Sequence, residues 1–82
     1  MKVQAKIYYK ILPTHPDKDC VVGGWDPERE MSYDDTYHID PNYFEGMDDI
    51  KTYIKHDLAL IAGGGYETKH IKDVRYEMEV VE

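Results

Sequence analysis

Between Gly46 and Gly63, apolar residues recur three or four apart: Met47, Ile50, Ile54, Leu58 and Ile61. That spacing stacks them on one side of an α-helix, with Tyr53 and Ala62 widening the stripe. Lys51, Lys55, His56 and Ala59 fall largely opposite. Gly46 is an acceptable N-cap, and Asp48 and Asp49 suit the positive end of the helix dipole. Gly63 can end the helix by taking the left-handed conformation. The pattern predicts one helix, over about 47–62.

Elsewhere the period is two. Val3, Ala5, Ile7, Tyr9 and Ile11 alternate with Lys2, Gln4, Lys6, Tyr8 and Lys10, which predicts a half-buried strand with a basic outer face. Pro13 ends it. Residues 13–20 read as a polar loop, and Cys20-Val-Val-Gly-Gly-Trp25 as a short strand whose glycines mark a bulge or tight turn. Residues 31–39 alternate again, with Met31, Tyr33, Tyr37 and Ile39 on one face. Asp35 breaks that face, as an inward charge does on an edge strand that must not aggregate. Phe44 is placed beneath the helix start. In 69–82, Val74, Tyr76, Met78 and Val80 share one face, and Asp73, Arg75, Glu77 and Glu79 the other. The lysines of the first strand and the acids of the last would attract one another if the two lay side by side. The expectation is a two-layer α+β domain spanning 1–82, with a mainly antiparallel sheet of three or four strands and one helix on one face.

Eighty-two residues suffice for one small core and no more. The single cysteine, Cys20, cannot form an internal disulfide and suggests a reducing compartment. No apolar run is long enough to span a membrane, and no secretory leader is apparent. These features predict a cytoplasmic protein.

The chemistry-bearing motifs are sparse. Gly63-Gly-Gly65 follows a helix C-terminus, which presents carbonyls, whereas phosphate sits at helix N-termini. Helix termination is the better account. Asp17-Lys-Asp19 begins like a calcium loop but has Val22 where the turn needs glycine. His15, Cys20 and His38 are the residues a small metal site would recruit, though their spacing matches no structural zinc pattern. For catalysis the nucleophiles are Cys20 and Ser32, with His15 or His38 as base, and nothing in the spacing predicts that they meet. The expectation is a protein without enzymatic activity, metal or cofactor.

Charge changes the picture. The net charge is −7, yet residues 26–49 hold nine acids against Arg29 alone. Free nucleic acid would be repelled by that segment, and a basic protein surface attracted. Trp25, Tyr33, Tyr37 and Tyr43 lie among Glu28, Glu30, Asp34, Asp35, Asp48 and Asp49. Acids steer a basic partner, and aromatic rings supply affinity by burial. These side chains are therefore expected to form one partner-binding face, while a free sheet edge and tyrosine-rich patches offer the alternative of a self-associating module or homodimer.

In size, acidity, lack of catalytic motifs and sheet-plus-helix plan, the chain resembles the small acidic proteins of phages and other mobile elements, including anti-CRISPR proteins and nucleic-acid mimics. The resemblance implies an inhibitor that occupies the basic groove of a nuclease or regulator.

Overall fold

The alternating segment at the N-terminus becomes the centre of the sheet. The computed structural model describes residues 1–82 as β1 (Lys2–Ile11), a 3-10 turn at Lys18–Cys20, β2 (Glu30–His38), a second 3-10 turn at Pro41–Tyr43, α1 (Met47–Ala62) and β3 (Ile71–Val80). The sheet has three strands in the order β2-β1-β3. Both neighbours run antiparallel to β1. This is the expected α+β plan, with the first and last strands side by side.

One layer of side chains joins sheet and helix. Val3, Ala5, Ile7, Tyr9 and Ile11 are all buried, and Ile50, Ile54, Leu58 and Ala62 of α1 pack with them in one core. Tyr37, Ile39 and Ile71 close its sides. Ala59, expected on the solvent side, is buried at the end of the helix, where the chain turns back toward β3. Met47, Tyr53 and Ile61 mark the rims of the apolar stripe and stay more than one-third exposed.

Three expectations need correction. Residues 20–25 form no strand: Gly23 (φ 84°) and Gly24 (φ 88°) are both left-handed and reverse the chain. The Trp25 indole N–H then donates to the Ile11 carbonyl at 2.9 Å. Gly63 is right-handed and prolongs the helix, its N–H donating to Ala59. The left-handed turn comes at Gly64 and Gly65. Finally, β3 does not alternate without interruption. Ile71 pairs with Ile11, Tyr76 pairs with Ile7, and the register slips between them. Asp73, at φ 52°, is the inserted residue. Aspartate tolerates that conformation better than most side chains. The slip lets Ile71 enter the core without turning Tyr76 and Met78 outward. It also brings Asp73 to 3.4 Å from Lys10, one of the cross-strand charge pairs anticipated from sequence.

Candidate functional site

The hydrogen-bond pattern fixes which side chains face where. Met1 and Ile39 exchange both main-chain bonds, at 2.7 and 2.8 Å. Antiparallel pairs alternate, so the odd-numbered residues of β2 bond to β1 and the even-numbered ones turn their N–H and C=O to the open edge. Asp35 pairs with buried Ala5 and so projects on the helix side of the sheet, as do Tyr33 and Tyr37. On α1, Asp49, Tyr53 and Asp57 follow one another at intervals of four and form a row along one side.

Contacts join that row to β2. The Tyr37 hydroxyl donates to the Asp57 carboxylate at 2.5 Å, and the Tyr37 and Tyr53 rings meet edge to face at 6.5 Å. Phe44 tilts against Tyr53 at 5.5 Å. The Tyr33 hydroxyl reaches Asp35 at 3.4 Å. Burial, then the bond to Asp57, pushes the Tyr37 phenol well above its ordinary pKa. Tyr33 moves the same way, through desolvation first and the Asp35 charge second. None of Asp35, Asp48, Asp49 and Asp57 is ion-paired to a lysine or arginine. The result is an acidic strip flanked by tyrosines along the β2 side of the helix.

The expectation of one face built from all the named residues is corrected. Tyr33, Asp35, Tyr37 and Asp49 lie along the strip. Tyr43, 84% exposed, and Asp48 stand at the adjoining helix start. The other four are elsewhere. Trp25 is half-buried against the core, with Lys18 over its ring. Glu28 reaches Lys10 at 3.5 Å and Lys72 at 3.8 Å, and Glu30 reaches Arg75 at 3.1 Å. Asp34 pairs across from Lys6 on the far side of the sheet. Strand alternation puts Glu30 and Asp34 on the outer sheet face, and the chain's own cations on β1 and β3 pair with Glu28 and Glu30 there. Tyr53 and Asp57, not among the residues expected on that face, join the strip; their spacing of four with Asp49 is the signal the sequence offers.

The catalytic and metal candidates do not assemble. The His15 ring is buried, with Nε2–H donating to the Ala62 carbonyl at 2.8 Å and Nδ1 accepting from the Asp17 amide at 3.0 Å. Both nitrogens are occupied, so the ring offers neither a base to Cys20 nor a lone pair to a metal. His38 pairs with Lys2 and Ser32 with Tyr8, six residues apart on one strand, about 20 Å. No three of the His, Cys, Asp and Glu side chains converge as metal ligands do. No helix is long and apolar enough to cross a membrane. No family model, curated protein or solved structure matches the chain.

Proposed function

We propose that the protein is a non-enzymatic binding module that docks the β2–α1 flank onto a basic surface of a partner protein. The observation that carries this reading is the row Asp49–Tyr53–Asp57 beside Tyr37 and Asp35: unpaired carboxylates interleaved with rings. An acid without a cation of its own keeps its full attraction for an incoming one, while rings held by neighbouring rings lose little freedom on binding. Asp49 and Asp57 are separated by about 12 Å along the helix axis, which suits several separate lysines or arginines rather than one ion. A partner whose basic surface normally holds nucleic acid fits this chemistry, and docking would then displace the nucleic acid, as the resemblance to phage-type inhibitors implies.

The test is capture from the native host at low salt, followed by a salt step. Wild-type protein retains a basic partner that salt releases. The triple substitution Asp35→Asn, Asp49→Asn, Asp57→Asn weakens that capture at least tenfold while keeping shape and the amide oxygen at position 57. Binding indifferent to both salt and the triple substitution would falsify the reading.

A further inference from the structure

The two edges of the sheet are treated differently. At the β2 edge, Asp35 Oδ1 accepts the Thr36 N–H at 2.8 Å, an amide that faces the open side. Asp34 and Asp35, neither ion-paired to a lysine or arginine, give that edge one sign of charge. It is blocked against a second strand of the same kind by an occupied amide and by like-charge repulsion.

The β3 edge has neither protection. Val81 N–H donates to Lys2, so the odd-numbered residues of this strand bond to β1. Val74, Tyr76, Met78 and Val80 turn their backbone groups outward, and no proline or inward-facing charge interrupts them. Their side chains lie on the helix side, where α1 leaves Val74 38% and Val80 49% exposed. The Asp73 bulge bends the strand only at its start.

We infer that β3 pairs antiparallel with β3 of a second copy, about a two-fold axis at Tyr76, making a continuous six-stranded sheet. The register follows from charge. Only outward-facing residues can form hydrogen-bonded pairs, and a two-fold position at Tyr76, Glu77 or Met78 keeps the most of them between Val74 and Val80. Centring on Glu77 gives two Arg75–Glu79 pairs but sets the two Glu77 carboxylates against each other between them, and centring on Met78 sets Glu77 against Glu79. Centring on Tyr76 sets Arg75 opposite the partner's Glu77, twice, in the pairs where side chains stand closest. The same register brings Val74 against the partner's Met78 and forms roughly six inter-chain main-chain hydrogen bonds. Arg75 is already held along the outer face, its guanidinium 3.6 Å over the Tyr8 ring and 3.5 Å from Glu77 of its own strand. It also holds Glu30 of β2 at 3.1 Å, so in the dimer the partner's Glu77 takes the place of the longer contact to Glu77 of its own strand. The dimer leaves the β2–α1 flank free, so the inference stands independently of the docking proposal.

Sedimentation equilibrium over a wide concentration range tests it. Wild-type protein should tend to twice the 9.6 kDa chain mass. Arg75→Glu should weaken association at least tenfold by placing like charges in both pairs, and the exchange R75E/E77R should restore it. Circular dichroism identifies any variant that fails to fold, and M78K, which puts a charge on the helix side of the edge, then serves as the second disrupting variant. A wild-type chain that stays monomeric at the highest concentration overturns the inference. So does association unchanged by both R75E and M78K, or a well-folded exchange variant that does not recover.

Discussion

The Tyr37 hydroxyl donates to the Asp57 carboxylate at 2.5 Å, tying edge strand β2 to the helix that covers it. Tyr37 is buried and Asp57 half-buried, so the bond spans the boundary between core and flank. The phenol is raised by burial first and by Asp57 second, so the folded chain holds its proton more tightly than the unfolded chain. The stability this provides is complete below the unfolded phenol value of about 10 and is lost as pH rises above it. Tyr37→Phe should cost about 1–2 kcal/mol at neutral pH, measured by chemical denaturation. It should also make the alkaline fall in stability shallower, with one fewer late-titrating phenol in the ultraviolet absorbance.

The three consecutive glycines should differ sharply in their tolerance of alanine. A Cβ on Gly63 would stand 1.7 Å from the Glu67 carbonyl oxygen, so backbone must move. On Gly64 it would meet His15 Cε1 and Pro16 Cγ at 2.9 Å, at φ +68°. Gly65 has open space and only the positive φ to overcome. Gly65→Ala should therefore cost about 1–2 kcal/mol. Gly64→Ala should cost more, and Gly63→Ala most. Thermal melts of the three variants, with Gly46→Ala as the unstrained control, give the order directly.

Much of this fold was legible because one rule governs each element. The four-residue spacing of Ile50, Ile54 and Leu58 admits only a helix, and the alternation from Val3 to Ile11 admits only a half-buried strand. Asp35 marked β2 as an edge strand, which it is, and its carboxylate accepts the outward Thr36 amide. What remained hidden depends on contacts between segments distant in sequence. The Asp73 bulge answers to where Ile71 and Ile11 must meet, and no local pattern reports that. The partition of the acids was illegible for the same reason. Glu28 and Glu30 look like Asp35 in composition, but Lys10, Lys72 and Arg75 arrive beside them only once the strands pair. His15 reads as a loop residue until Ala62 is brought to its Nε2.

That His15 contact makes a further prediction. The ring satisfies a carbonyl of the last helical turn and holds its own loop through the Asp17 amide. His15→Ala leaves the buried Ala62 carbonyl and the part-buried Asp17 amide short of a partner and should cost about 1–3 kcal/mol. Ile54→Ala, which removes a side chain with no exposed surface, should cost about 2–5 kcal/mol. Hydrogen exchange separates the two effects. The His15 variant should lose protection chiefly in the last helical turn and residues 13–17, whereas the Ile54 variant should lose it throughout the sheet and helix.

Acid should act through Glu67. Its carboxylate accepts from His70 Nε2 at 2.9 Å and lies 3.4 Å from Lys69. The His70 bond first and Lys69 second hold this carboxyl below the usual range. The folded chain thus binds the proton less readily than the unfolded one. The associated stability is present above the unfolded value of about 4.3 and disappears as pH falls through the lower folded value. His70 also bonds Thr14 at 2.9 Å, so this pair links the return loop after α1 to the loop after β1. Glu67→Gln should remove the charge while keeping an acceptor. Stability of this variant, followed from pH 6 to pH 2, should decline less steeply than that of the wild type across the carboxylate range. If the two curves run parallel there, the Glu67–His70 pair does not contribute to acid sensitivity. Because Glu67 lies at the water-exposed surface, the difference should shrink as salt is added.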